Sequence, residues 1–423
     1  MLAVAALALA LRVAAILLVE VDPRARWSFD MSWYDGVARR LLAGWGYIGF
    51  DWAPTAHWPP GYPLLLTGVY AVFGPSLLAA KLANAVLATA TVVLTHRIGC
   101  ELGRPRVGLL GALILALFPG DILFSPTILS ETLFATLLCT ALWLFLRWTN
   151  RDRAGTSAWL AFGLLLGAAT LVRGTALVIL PAFTLAWLAC GTGFRRTLWR
   201  SAVVATGLAL ALVPWTVRNY LRLGYPVLVG TNGVAALWVG QSDVATSDAI
   251  LPPNPRSAHG PEMRNPQLEV ETARTRTRQA LAWMVEHPGR LATMAPGKIQ
   301  RMYEDDRGAY PWIEEGLRRL LGASARRWFD ALVDGYYWVV LVLGVVGARH
   351  FLVADRGAAL VPITVVWFTL LHAVLFFGHP RFHHPLLPLF SLMAAAEILA
   401  WTRRWHPKQY SERITSKKGQ SFA

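Results

Sequence analysis

The sequence predicts an all-α polytopic membrane protein, and three observations carry that prediction. Of its 423 residues, 55% are hydrophobic and only 15% charged, a balance too apolar for an ordinary soluble domain. Ten stretches are long and apolar enough to span or nearly span a bilayer, which takes about 20 residues per ~30 Å of hydrocarbon. Lys and Arg gather in alternate short loops, as they do when every second loop faces the cytoplasm.

The stretches lie near 2 to 19, 76 to 96, 107 to 124, 131 to 148, 158 to 172, 174 to 190, 201 to 217, 331 to 348, 358 to 377 and 385 to 401. The first has no basic region ahead of it and no small-residue cleavage pattern before Asp22-Pro23, so it is expected to be a retained span rather than a signal peptide. The fifth and sixth meet at Val172-Arg173-Gly174 and form either two short spans or a re-entrant pair.

Orientation follows from the short loops. Arg97, Arg104, Arg106, Arg147, Arg151, Arg153, Arg195, Arg196, Arg200, Arg349 and Arg356 fall on one set, eleven in all, while the alternate set holds only Arg173 and Arg381. The first set is therefore expected inside, together with both termini and the basic tail 402–423. Outside lie a first loop, 20–75, whose stretch 62 to 74 looks amphipathic, and a large loop, 218–330. Within the large loop, 252 to 266 is a Pro- and Asn-rich irregular stretch, while 267 to 287 and 289 to 303 have the spacing of amphipathic helices that roof the membrane surface. The chain thus divides into an N-terminal transmembrane core (1–217), the large external loop (218–330), C-terminal spans (331–401) and a cytoplasmic tail (402–423).

The formal net charge of +15 would suggest nucleic acid in a soluble protein, but here it sits largely at span ends and accompanies no nucleic-acid-binding module. Cys100, Cys139 and Cys190 lie in or beside apolar runs and imply no disulfide framework. Arg12 and Lys81, inside apolar stretches, are expected to be paired structurally or to snorkel.

The segment Phe29-Asp30-Met31-Ser32-Trp33-Tyr34-Asp35 follows the first span. A carboxylate held near hydrocarbon costs several kcal/mol, which marks it as a functional candidate. The bland alternative is that Asp30 caps a helix starting near Ser32. Glu131 invites the same two readings, since Ser130 can cap the helix that follows and Glu131 can offset its dipole.

Six motifs in order, beginning with that acidic segment, set a pattern. After it come HWPPGYPLLL (57 to 66), LALFPGDILFSPTILSETLF (115 to 134), LLLGAATLVRGTALVILP (164 to 181), RNYLRLGYPVLVGTNGVAALWVG (218 to 240) and GHPRFHHPLLPL (378 to 389). The set resembles the GT-C glycosyltransferases, on the branch of the protein O-mannosyltransferases and the aminoarabinose transferases of lipid A.

The resemblance implies the GT-C fold and an integral enzyme of a bacterial inner or cell membrane. Such an enzyme moves a sugar from a polyprenyl-phosphate donor to a protein, lipid or glycan acceptor on the external face, with membrane lipids and no nucleic acid as partners. It implies Asp30 as the catalytic carboxylate, with Asp35 a second candidate at a position where related chains tolerate other residues, and Glu131 as a supporting acid. Attack on an anomeric carbon builds an oxocarbenium-like state, so a carboxylate that takes the hydroxyl proton fits the chemistry. The phosphate leaving group needs positive charge in planar form, which matches Arg173 and Arg381.

Tyr62, His57, His383 and His384 complete the expected substrate-binding set, although His57 stands where some relatives carry Glu or Lys. His57, His379, His383 and His384 with Asp30 or Glu131 would suit zinc or manganese, but their spacing is no metal signature, so no metal is assigned and no nucleotide cofactor is expected. Two other classes remain open: a lipid-linked glycan transporter, against which stands the lack of an internal repeat, and a non-catalytic subunit of an envelope-glycan complex.

Overall fold

In the computed structural model the described residues are 1–22, 29–49, 51–151, 154–242, 245, 265–352 and 357–405, and they are almost entirely helical. The expected irregular stretch 252 to 266 lies, up to residue 264, outside the described residues, as does the tail from 406.

Among the described residues seventeen α-helices follow one another. The first half comprises α1 (Leu2–Leu18), α2 (Phe29–Leu42), α3 (Gly61–Phe73), α4 (Leu77–Glu101), α5 (Pro105–Ala116), α6 (Pro119–Leu123), α7 (Glu131–Arg151), α8 (Thr156–Val172), α9 (Leu180–Ala189) and α10 (Phe194–Leu223). The region expected outside the membrane contributes α11 (Asn232–Gly240), α12 (Pro266–Glu286) and α13 (Pro288–Tyr303). The chain closes with α14 (Tyr310–Gly347), α15 (Arg349–Leu352), α16 (Leu360–Leu375) and α17 (Leu387–Trp405).

Local chemistry explains the boundaries. Ser76 caps α4 by accepting the Ala79 N–H at 3.3 Å. Asn265 does the same for α12 through the N–H groups of Gln267 and Leu268, and Pro266 occupies a first-turn position that needs no donor.

Five helices are long and apolar enough to cross a membrane: Leu77–Glu101, Glu131–Thr149, Phe194–Leu223, Tyr310–Leu352 and Pro380–Thr402. The chain is an integral membrane protein. The other five expected spans are apolar helices of only 10–17 residues, so the long helices account for half of the ten.

Three expectations need correcting. The single span expected at 107 to 124 is broken, because Pro119 offers no N–H and pushes Phe118 into an extended conformation (φ −69°, ψ 110°) between α5 and α6. The span expected at 331 to 348 begins much earlier, since α14 reaches back to Tyr310 and is kinked at Gly322 (φ 65°, ψ 173°). Asp30 does not precede a helix at Ser32: α2 starts at Phe29, and Asp30 lies in its first turn. The two short helices around Arg173 do meet there, with an extended residue (φ −144°, ψ 120°) followed by a 3-10 turn, Gly174–Ile179.

Helices α8 and α10 approach closely where two glycines face each other. A Cβ at Gly163 of α8 would lie 2.2 Å from the Val204 carbonyl of α10, and one at Gly207 would lie 2.3 Å from that of Leu160, so only glycine permits this packing.

Charges gather at two ends. At one, Arg104 donates to the His350 carbonyl (2.9 Å), Arg147 pairs with Glu101 (3.5 Å) and Arg349 with Glu397 (2.7 Å), which joins three of the basic short loops. Elsewhere the first external loop, Arg173 and Arg381 come together. Arg12 is buried against Asp121 and the Ala8 carbonyl, while Lys81 donates to the Val21 carbonyl at 3.1 Å, so both are paired structurally.

Candidate active site

Asp30 enters the site because the first turn of α2 points it toward the loop before α17. Its Oδ2 accepts from an Arg381 guanidinium nitrogen at 2.8 Å. Arg381 also faces Glu131, with Nε 3.8 Å from Oε1, and Arg173 pairs with the same Oε1 at 2.7 Å. Arg173 donates to Ser130 Oγ as well, at 3.3 Å. Two carboxylates and two guanidiniums therefore alternate in one chain of contacts, with no net charge.

Burial separates the two acids. The Asp30 side chain retains 16% of its exposure and that of Glu131 only 2%, so Asp30 can reach a ligand while Glu131 acts through its arginines. Glu131 stands in the first turn of α7, where the helix dipole favours a carboxylate. Arg381 Nε is buried and makes no hydrogen bond among the described residues. Its guanidinium lies over the rings of Trp312 and Phe382, and that of Arg173 over Phe382.

An aromatic wall backs this row. Tyr34 packs edge-on to Tyr62 at 5.0 Å and tilts against Trp58 at 5.8 Å. Burial pushes the Tyr34 phenol well above its ordinary range, and the nearby Asp30 and Glu131 push it further. Tyr62 is fully buried and accepts from Asn84, which also donates to the Thr127 carbonyl. His57 is half-buried beside Trp33 and Trp58; its carbonyl accepts from Asn232 N–H at 2.9 Å, which ties the HWPPGY and GTNG motifs together.

Other candidates are placed elsewhere. Asp35 is buried under a two-oxygen contact from Arg39 Nε (2.9 Å to each) and a hydrogen bond from Tyr70 (2.7 Å), away from the Asp30 row. His383 and His384 turn inward: His383 faces Asp306 at 3.2 Å, and His384 lies 3.1 Å from Asp121. His379 accepts the Arg381 N–H through Nδ1 at 3.2 Å, and burial pushes its pKa down to about 3, keeping it neutral. The four histidines do not converge, and among the described residues no three His, Cys, Asp or Glu side chains are arranged to hold a metal.

Tyr34, Trp312 and Asp306 were not singled out by sequence reasoning, and Ser130 was read as a helix cap rather than as a partner of Arg173. Tyr34 was visible one helical turn after Asp30, but nothing in the sequence marks Trp312 or Asp306.

An all-helical membrane protein with a paired acid–arginine row beside its first large loop is the class that fold and site define. Residues 57–218 match the family described as dolichyl-phosphate-mannose-protein mannosyltransferase, a span that contains Glu131 and Arg173 but neither Asp30 nor Arg381. Undecaprenyl phosphate-alpha-4-amino-4-deoxy-L-arabinose arabinosyl transferases from two Pseudomonas aeruginosa strains are 25% identical over 213 residues, 48% of this chain and 38% of theirs. The matched part thus spans little more than a third of those relatives.

Among solved structures, ArnT from Cupriavidus metallidurans bound to undecaprenyl phosphate superposes with a TM-score of 0.58 at 16% identity, covering 99% of this chain and 63% of that one. The Archaeoglobus fulgidus oligosaccharyltransferase AglB, in complex with an inhibitory peptide and a dolichol-phosphate, gives 0.56 at 15% identity, covering 98% and 51%. The likeness to these structures is one of fold, and the sequence likeness is to the arabinosyl transferases and the mannosyltransferase family named above.

Proposed function

We propose that the chain is a glycosyltransferase that moves a sugar from a polyprenyl-phosphate carrier to an acceptor on the extracytoplasmic face of the membrane. The observation that carries this reading is the Asp30–Arg381–Glu131–Arg173 row, with contacts of 2.8, 3.8 and 2.7 Å. A donor phosphate is a better partner for Arg381 than a lone carboxylate, because it offers several acceptor oxygens to a planar fork. Its arrival draws Arg381 from Asp30 and frees the carboxylate.

Asp30 then takes the proton of the acceptor hydroxyl as that oxygen bonds to the anomeric carbon. The carbon–oxygen bond to phosphate breaks, and the polyprenyl phosphate leaves with the electron pair, held by Arg381 and Arg173. One displacement inverts the anomeric centre. Glu131 keeps the two arginines apart and charged. Asp35 has a structural role in this scheme, and Tyr62 and His57 shape the wall beside the sugar.

The Pseudomonas relatives favour a 4-amino-4-deoxy-arabinosyl donor, and the family match offers a mannosyl one. The grouping of the basic loops at one end supports the orientation in which Asp30 faces outward. The full chain in nanodiscs, given either labelled polyprenyl-phosphate sugar with envelope lipid and protein acceptors, is expected to form labelled product, and its Asp30→Asn variant is not. No transfer from either donor, together with no binding of undecaprenyl phosphate, overturns the proposal.

A further inference from the structure

The backbone that carries Arg381 has little to hold itself in place. It consists of two 3-10 turns, Pro380–Phe382 and His384–Leu386, each with a proline in its first positions. Such turns have poor hydrogen-bond geometry, and each proline removes a donor. Beside the hydrogen bond from the Arg381 N–H to His379, the region behind the segment adds contacts that fix it.

The side chain of His383, the residue between the two turns, is 1% exposed. Its Nδ1 lies 2.7 Å from the Met302 carbonyl and its Nε2 3.2 Å from Asp306 Oδ1. The ring lies nearly parallel to those of Tyr303 and Tyr337. A Cβ on Gly308 would lie 2.8 Å from Arg381 Cα, so the same external segment also touches the arginine's backbone directly. Met302, Asp306 and Gly308 together grip the turn at the junction of α13 and α14.

Hydrogen-bond chemistry restricts the protons. A carbonyl only accepts, so Nδ1 must carry a hydrogen. A carboxylate also only accepts, so either Nε2 carries a second hydrogen against an ionised Asp306, or a protonated Asp306 donates to a bare Nε2. Both states share one proton between the two side chains and leave the pair neutral overall, which avoids an uncompensated buried charge. Burial pushes the Asp306 carboxyl up. The groups facing the pair are Asp121, itself bound to Arg12, together with His384, Asp305, Tyr303 and Tyr337. Asp306 sits so close to α6 that a Cβ on Gly120 would lie 1.7 Å from its Oδ2.

We propose that Asp306 and His383 form a proton-sharing clamp that fixes Arg381 for the donor phosphate, making Asp306 a positioning residue contributed by the external region. The proposal rests on the reading of Arg381 as a phosphate ligand.

Affinity of the full chain in nanodiscs for undecaprenyl phosphate tests it. Asp306→Asn can donate to a neutral His383 and keep the clamp, so binding is expected within about threefold of wild type. Asp306→Leu cannot, and a loss of at least tenfold is expected. Wild-type binding by Asp306→Leu overturns the clamp, and equal loss in both variants overturns proton sharing. A second measurement needs neither ligand nor a folded leucine variant: solid-state 15N NMR of histidine-labelled wild type, with the His383 signal assigned by its loss in His383→Gln. Hydrogen on Nδ1 supports the clamp, and a bare Nδ1 overturns it. If wild type binds no undecaprenyl phosphate, the donor reading falls, and the NMR result still decides whether the clamp exists.

Discussion

Asp30 and Arg381 stand 351 positions apart in the chain and meet at 2.8 Å, so the candidate base is held by the residue that a donor phosphate would claim. Under the proposed function, the pairing would make donor binding and base release one event.

Replacing Asp30 by Asn keeps its size and removes its proton-accepting charge. Turnover in membranes with a normal amount of protein is expected to fall by roughly a hundredfold or more, the range of general acid–base groups. Affinity for undecaprenyl phosphate should not fall, since the variant removes the carboxylate that competes for Arg381. A near-normal rate removes Asp30 from the mechanism.

Arg381→Ala and Arg173→Ala each remove a charged donor. Loss of one such contact costs about 1.5 to 3 kcal/mol, roughly ten- to a hundredfold in affinity for undecaprenyl phosphate. Lysine is expected to restore only part, since it keeps charge without the planar fork. Unchanged binding in both alanine variants refutes the phosphate assignment.

Asp35 gives the contrasting case. It accepts from Arg39 and Tyr70 in a buried setting, so Asp35→Asn is expected to lower thermal stability while activity per folded molecule stays close to wild type. A catalytic defect as deep as that of Asp30→Asn, in well-folded protein, reverses the two roles.

Glu269 of α12 binds the first external loop, accepting from Thr55 (2.8 Å), the Ala56 N–H (3.0 Å) and Thr231 (2.9 Å). Burial raises its carboxyl above the ordinary 4.5. The folded state therefore prefers the protonated acid, and stability is lost as pH climbs from the unfolded value through the raised folded one. Glu269→Gln removes that loss, so its melting temperature relative to wild type should increase with pH across that window. A constant difference argues against the carboxyl as the cause.

Orientation is tested by cysteine labelling at the exposed Ala292 and Ser157, after Cys100 and Cys190 are replaced by serine and with Cys139 left buried. The two sites are expected on opposite faces of the membrane. Labelling from the same face overturns the assignment of 218–330 to the outside.

Much of the helix pattern was legible because apolar length is a local property. Expected edges at 76, 131 and 289 fall within two residues of the observed starts at Leu77, Glu131 and Pro288, where a capping residue, an acidic first turn and a proline mark them. The break at Pro119 was written in the chain as well, but hydropathy runs through it and hides it, while the start of α14 is hidden by the charged residues around Gly322, which no apolar stretch includes. The site was legible as residue types. That His383 and His384 are buried against Asp306 and Asp121 was not, since two histidines in a loop after Arg381 look equally suited to the mouth.

The sequence by itself determined that this chain is a polytopic membrane protein and that Asp30, Glu131, Arg173 and Arg381 merit attention, and it set the expectation of which loops share a side. Transfer of apolar and charged groups between water and lipid is nearly additive along a chain, so it can be read residue by residue. Only the tertiary structure decided which acid meets which arginine, and why Asp35 differs from Asp30 five positions away. Electrostatic partnership depends on distances of a few ångströms and on how far each group is withdrawn from water, and both are set by packing between segments that the chain order keeps far apart.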